Sequence, residues 1–223
     1  MNPLHIVAVG AHPDDIELSM AGLSIGAAGH GQRTTWIVAT DGAAGSGRRD
    51  PALAQRREAE ARAGAAVAGA ELVWLGMPDG QLAWCLDGPR LIGEQLAALA
   101  PDLILTHATN DYHADHRAVA RLVGDTASIG TPILRCDTML GLHFLPDLLV
   151  DISGQFSAKL EALGKHESQS ALGIGDAAAV WNRFRGLQSS GRQFIHAEAY
   201  AVDCRLGIEA RSLLDRLADC VWL

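Results

Sequence analysis

Apolar residues run almost without interruption from Leu4 to Val9, and the run stops at Gly10-Ala11. A short unbroken run closed by a turn signal predicts a strand buried on both faces. The spacing then changes. Ile16, Met20, Leu23 and Ala27 recur at helical intervals until Gly29 and Gly31, predicting a helix over 16–30. Thr34–Thr40 (TTWIVAT) returns to the β-branched pattern of a strand. Asp50-Pro51 is a cap and first-turn pair opening a helix to Ala68, whose Ala54, Ala61, Ala65 and Ala68 let it lie close on a sheet. Glu71–Leu75 and Leu103–Thr106 read as strands, with a helix over Pro89–Ala98 between them and another over Ala118–Val123 after them. This alternation predicts an α/β protein with a parallel, doubly wound sheet.

Past residue 130 the periodicities weaken. Strands are expected over Pro132–Cys136, Leu148–Ile152 and Ala197–Cys204, and an amphipathic helix over Phe156–His166. A helix and then a covering loop are expected over 170–195, and a closing helix over Ile208–Cys220. No repeat, low-complexity tract or linker interrupts the chain, so residues 1–223 are read as a single domain. A chain of this length buries roughly 70–75% of its unfolded surface, enough for a core without staples.

Charge and cysteines narrow the classes of function. The formal charge is −8 and the pI about 5.5, with no basic run, which argues against a nucleic-acid or anionic-membrane surface. Cys85, Cys136, Cys204 and Cys220 have no CxxC spacing and read as reduced, mostly buried thiols of a cytoplasmic protein. Met1-Asn2-Pro3 leads straight into the first strand, so no signal peptide is expected, and no apolar stretch approaches a membrane span. Ala/Gly richness and the apolar end Val221-Trp222-Leu223 allow a homo-oligomer.

The candidate chemistry lies at two strand ends. His12-Pro13-Asp14-Asp15 follows the first strand, where Pro13 suits a helix beginning. His12 and Asp15 are three apart and can point to one side, while Asp14 points elsewhere. One imidazole and one carboxylate converging beside a second carboxylate suit a divalent metal with a neighbouring base. The competing reading is that Asp14 or Asp15 only caps the helix. Between His107 and His116 the chain carries three of its nine histidines and two aspartates, Asp111 and Asp115. His113 and His116 share a face at a helix start, and Asp115, off that face, could orient a histidine ring. A catalytic zinc site takes three protein ligands, here His12, Asp15 and one histidine of the second cluster. His116 is favoured: it lies within the helix start, and His113 precedes it as Asp14 precedes Asp15.

Other motifs are weaker. Asp41-Gly42-Ala43-Ala44-Gly45-Ser46-Gly47 lacks both the dinucleotide fingerprint and the Gly-Lys-Ser/Thr of a phosphate loop, and reads as a mobile rim of the site. Pro78-Asp79-Gly80 is ordinary turn chemistry, but its place at a strand's carboxyl end makes Asp79 a second-tier site candidate. Arg56, Arg57, Glu58, Glu60 and Arg62 form a mixed-charge face with pairs such as Arg56–Glu60. Gly22-Leu23-Ser24-Ile25-Gly26 matches the serine-hydrolase pattern but falls mid-helix, where no nucleophile elbow forms.

These residues resemble the PIG-L/LmbE-like family of zinc-dependent N-deacetylases. The family's H-P-D-D motif with a nearby acidic residue is matched by His12-Pro13-Asp14-Asp15 and Glu17, and its H-x-D-H motif by His113-Ala114-Asp115-His116. The likeness continues through Arg57-x-x-Glu60, Gly76-Met77-Pro78-Asp79-Gly80, Val150-Asp151-Ile152, Lys159, His166-Glu167-Ser168-Gln169 and Ala197-Glu198-Ala199-Tyr200. It implies a Rossmann-like, mostly parallel sheet with helices on both faces and a metal site at the carboxyl ends of the strands. It further implies zinc on His12, Asp15 and His116, with other first-row metals such as Fe2+ acceptable to the same ligands. Asp14 would be the general base, and His113 would stabilise developing charge or protonate the leaving amine. Arg57 and Asp79 would contact substrate hydroxyls or order the pocket. Ala114 stands where the family usually has proline, Tyr200 where phenylalanine is common, and no acidic residue follows Gly42.

The expected reaction is removal of acetyl from an N-acetylglucosamine-type small molecule or glycoside. The rival readings are an amidase of larger conjugates, a non-catalytic metal- or sugar-binding module, and a nucleotide-binding protein. The presence of both Asp14 and His113, which metal binding alone does not need, argues against the module. The absent glycine fingerprint argues against the nucleotide.

Overall fold

The computed structural model describes residues 2–189 and 191–203. The closing helix expected over Ile208–Cys220, the last three residues, Cys204 and Cys220 lie outside the described residues. Seven strands are described: β1 (His5–Gly10), β2 (Arg33–Thr40), β3 (Glu71–Met77), β4 (Leu103–Thr106), β5 (Ile133–Cys136), β6 (Leu148–Asp151) and β7 (Ala197–Asp203). They form one sheet in the order β3-β2-β1-β4-β5-β7-β6. The first five are mutually parallel, with His5 opposite Arg33 and Ile6 opposite Leu103. β7 enters antiparallel between β5 and β6. The fold is the expected α/β class with a mostly parallel sheet.

β1 shows why the leading strand is apolar throughout. Its alternate side chains feed two cores, Leu4, Ile6 and Ala8 into one and Val7 and Val9 into the other. The first core is covered by α1 (Asp15–Ser19), α2 (Ala21–Gly29), α3 (Pro51–Ala68) and α6 (Phe156–Leu163). The second is covered by α4 (Gly88–Leu99) and α5 (Ala114–Thr126). A smaller cluster of Leu18, Leu163, Ala178 and Trp181 seats α7 (Ile174–Leu187) on α1 and α6. The chain therefore leaves β1 toward one face and β4 toward the other. Between adjacent parallel strands, that divergence opens the crevice in which such sheets hold ligands. Among the described residues, no helix is long and apolar enough to cross a membrane.

The helix expected over 16–30 is broken at Met20, and the cause is tertiary. The Glu198 carboxylate, 1% exposed on β7, accepts from the Gly22 and Leu23 N–H groups at 2.7 and 2.9 Å and so caps α2. Gly22 is required there, because a Cβ would meet Ile152 Cγ2 at 2.4 Å and Glu198 Oε1 at 2.9 Å. Ser24 Oγ accepts from Trp36 Nε1 at 2.8 Å. Both residues of the serine-hydrolase look-alike thus serve the core.

Glu198 also accepts from Lys159 Nζ at 2.7 Å and from the Tyr200 hydroxyl at 2.8 Å, joining β7, α2 and α6 through fully buried charges. Truncating one partner of such a pair leaves an uncompensated charge, a loss of about 3–5 kcal/mol. The exposed Arg33–Glu71 pair at 3.0 Å contributes under about 1 kcal/mol. Urea unfolding of Lys159→Ala and Arg33→Ala should separate by that margin.

Candidate metal centre and active site

β1, β4 and the start of α5 deliver the two histidine motifs to one crevice. Asp15 opens α1, and its carboxylate is the common contact. Oδ2 accepts from the His12 backbone N–H at 2.6 Å and lies 3.2 Å from His12 Nδ1 and 3.3 Å from His107 Nε2. Oδ1 lies 3.2 Å from His116 Nε2. On its other side, His12 Nε2 is 3.2 Å from Asp79 Oδ1 and 3.3 Å from Asp115 Oδ2. His113 packs edge-on to His12 with ring centroids 4.7 Å apart and lies 4.8 Å from His116.

Local structure sets these directions. Asp14 holds the N-cap position of α1, yet its side chain makes no capping bond. Its φ of 103° is left-handed, and its carboxylate turns instead to Arg57, which donates from Nη2 at 3.0 Å. The capping reading of Asp14 therefore fails. His113 is the N-cap of α5: its Nδ1 accepts from the Asp115 N–H at 3.2 Å, which leaves Nε2 as the N–H donor of the neutral ring. Asp115 accepts from the Gly80 and Leu82 N–H groups at 2.7 and 3.1 Å, so it anchors the loop after β3 while touching His12.

The charges interlock. For His12, burial opposes protonation, but Asp15, Asp115 and Asp79 outweigh it and hold the ring well above its ordinary pKa. Burial is likewise outweighed at His116, which Asp15 and Asp111 raise to about 9. At Asp15, burial is overcome by His116, His107 and His12, which hold it well below the usual carboxylate range. Asp14 goes the other way. Loss of solvent, helped by Asp15 and opposed by Arg57, pushes it up to about 6. His113 is lowered by burial and by its histidine neighbours.

Five carboxylates, Asp14, Asp15, Asp79, Asp111 and Asp115, thus converge on Arg57 and a few imidazoles. Three sets of potential ligand atoms lie within 4.8 Å of one another: His12, His113 and His116; Asp15, His107 and His116; and His12, Asp79 and Asp115. An imidazole–carboxylate donor set with surplus negative charge fits a first-row divalent cation. His12, Asp15 and His116 are brought together pairwise through Asp15.

Two residues here carried no role in the sequence reading. His107, the first residue past β4, is stacked on His116 with centroids 3.9 Å apart, and its Nε2 accepts from the Ala11 N–H at 3.0 Å. Burial, with His116, lowers it to about 4, so it is a neutral brace. Asp111 Oδ2 lies 3.3 Å from His116 Nδ1, and its Oδ1 accepts from the His113 N–H at 2.8 Å. Its place two residues before His113, at a helix entry, was the available signal.

Arg57 and Asp79 point inward rather than to open space. Asp79 Oδ2 accepts from Ala44 N–H at 2.9 Å while Oδ1 faces His12. The glycine loop expected to be a mobile rim is clamped in its first half. Asp41 N–H donates to the Met77 carbonyl and Asp50 N–H to the Ala43 carbonyl, both at 2.8 Å.

The sequence model of the PIG-L family, described as GlcNAc-PI de-N-acetylase, matches residues 7–127. The chain belongs to this family. Its fold resembles several solved structures. The 4-carboxy-2-hydroxymuconate hydratase GalB of Pseudomonas putida KT2440 is 18% identical, with TM-score 0.79 over 91% of this chain and 98% of that one. The N,N'-diacetylchitobiose deacetylase of Pyrococcus horikoshii is 20% identical, with TM-score 0.76 over 91% and 84%. The A40926 pseudoaglycone deacetylase is 18% identical, with TM-score 0.74 over 92% and 100%. At these identities the likeness concerns the fold.

Behind the crevice, Glu17 Oε1 pairs with His166 Nε2 at 2.8 Å, both buried. Burial opposes the charged ring, but Glu17 outweighs it and raises His166 above the ordinary imidazole value. A raised folded-state pKa stabilises fully below the unfolded value of about 6.5, and that increment is lost as pH rises through the folded-state value. Glu17→Gln should therefore cost more stability at about pH 5.5 than at about pH 9. Urea unfolding at the two pH values checks it, and an equal loss at both would contradict it.

Proposed function

We propose that this protein is a divalent-metal-dependent N-deacetylase, with zinc as the resident ion, acting on an N-acetyl amino sugar free or in a glycoside. The carrying observation is Asp14. It adjoins the ligand residue Asp15 yet belongs to none of the three ligand sets, and its carboxylate is held by Arg57 Nη2 at 3.0 Å, a placement suited to a general base beside the ion. Metal binding alone has no use for it. Membership of a de-N-acetylase family supports the reaction class. The hydratase among the structural neighbours is a reminder that fold alone does not decide chemistry.

His12, Asp15 and His116 would hold the ion. When bound, it supplies Lewis acidity, lowering the pKa of water and polarising the amide carbonyl. Asp14 takes the proton as water's oxygen bonds to the acetyl carbon. His113, its Nδ1 occupied by the Asp115 N–H, offers Nε2–H to the developing oxyanion as a neutral donor. As the C–N bond breaks, the proton on Asp14 passes to the leaving nitrogen, giving a free amine and acetic acid, which releases its proton to solvent as acetate. Asp79 and Asp115 hold the His12 ring from the side opposite Asp15.

Amine release from a panel of N-acetyl amino sugars, free and glycosidic, tests this reading on metal-stripped protein before and after zinc is restored. Activity should appear only with zinc. Asp14→Asn should lose about 10²–10⁴-fold in kcat while its zinc content stays that of the wild type. Turnover of larger conjugate amides alone would move the assignment to an amidase. Full metal loading with no hydrolysis of any amide would leave a binding module.

A further inference from the structure

The general-base assignment depends on how Asp14 is held, and three observations concern that. First, Asp14 is not in a relaxed conformation: its φ of 103° lies in the left-handed region that residues with a Cβ seldom adopt. Second, one side chain holds this turn at two points and ties it to the glycine loop. Arg57, 3% exposed on α3, donates from Nη2 to the Pro13 carbonyl and to Asp14 Oδ2, and from Nη1 to the Gly42 carbonyl at 3.1 Å. Its Nε is buried with no hydrogen-bond partner. The fold leaves that polar atom unsatisfied to bring the guanidinium to this place. Third, the guanidinium reaches the turn through a slot lined by glycine. A Cβ on Gly42 would meet Pro13 Cδ at 2.9 Å and Arg57 Nε at 3.0 Å, and one on Gly45 would meet Arg57 Nη1 at 2.7 Å.

We infer that Arg57, admitted through the Gly42–Gly45 slot, is a positioning residue that fixes the strained Asp14 turn and its carboxylate, rather than a contact to substrate. The glycine loop then has a role of its own: side chains at 42 and 45 would crowd the guanidinium and force its tip to shift from Asp14. This inference rests on the general-base reading of Asp14. Its structural half can be tested without turnover.

The test compares Arg57→Ala, Arg57→Lys and Gly45→Ala with the wild type, each loaded with zinc. Gly45 is exposed and has no left-handed φ, so its variant keeps the fold even if Arg57→Ala does not. Expected are a fall in kcat of about 10²-fold for Arg57→Ala and Gly45→Ala, with KM little changed. Arg57→Lys should recover part of that fall, and zinc content should be equal in all four proteins. Crystal structures of Arg57→Ala or Gly45→Ala should show Asp14 leaving its left-handed conformation. A rise in KM with kcat unchanged would overturn the inference and make Arg57 a substrate contact. So would an Asp14 that stays in place once Arg57 is removed or displaced. If the wild type hydrolyses no N-acetyl amino sugar, the deacetylase reading fails, and the position of Asp14 in those crystals still decides the role of Arg57.

Discussion

Asp15 brings a buried negative charge to the one point where β1, β4 and α5 meet, and its neighbours are arranged to receive it. An unpaired carboxylate in such a place costs several kcal/mol, so it needs partners from every element around it. The His12 N–H and the imidazoles of His12 and His116 supply them. The site is therefore a single electrostatic unit, and each motif depends on the other for compensation. His107, neutral and stacked on His116, completes the wall on the β4 side.

The same balance separates two neighbouring carboxylates into different roles. Asp15 faces imidazoles and is held ionised. Asp14, one residue earlier, turns to Arg57, loses solvent, and is pushed up in spite of that guanidinium. Adjacent residues in a turn point in different directions, which is what the proposed division of consecutive aspartates into ligand and base needs. The proposed ligand and the proposed base both follow from where the turn after β1 places its side chains.

Away from the crevice, a second buried charge performs a purely structural task. Glu198 ends the run between α1 and α2 and ties Lys159 and Tyr200 to them. The fold is shared with a hydratase and with deacetylases, so reaction type must be sought in side chains such as Asp14 and not in the sheet.

Local order was written in the chain. The first five strands and the helices between them follow from apolar spacing, Asp50-Pro51 marks the start of α3, and His12-Pro13-Asp14-Asp15 and His113-Ala114-Asp115-His116 announce the site. These features depend on neighbours within a few residues, where periodicity and turn chemistry act. What only the tertiary structure decided depends on partners far apart in sequence. The break at Met20 is made by a carboxylate 176 residues away from Gly22. The antiparallel entry of β7, the bracing by His107 and Asp111, and the clamped glycine loop belong to the same class. So does the direction of Arg57, which the sequence placed on a mixed-charge helix face and the family resemblance placed at the substrate or in the ordering of the pocket. Its direction was set by the glycines that let it through to Pro13 and Asp14, and no helical periodicity encodes that path.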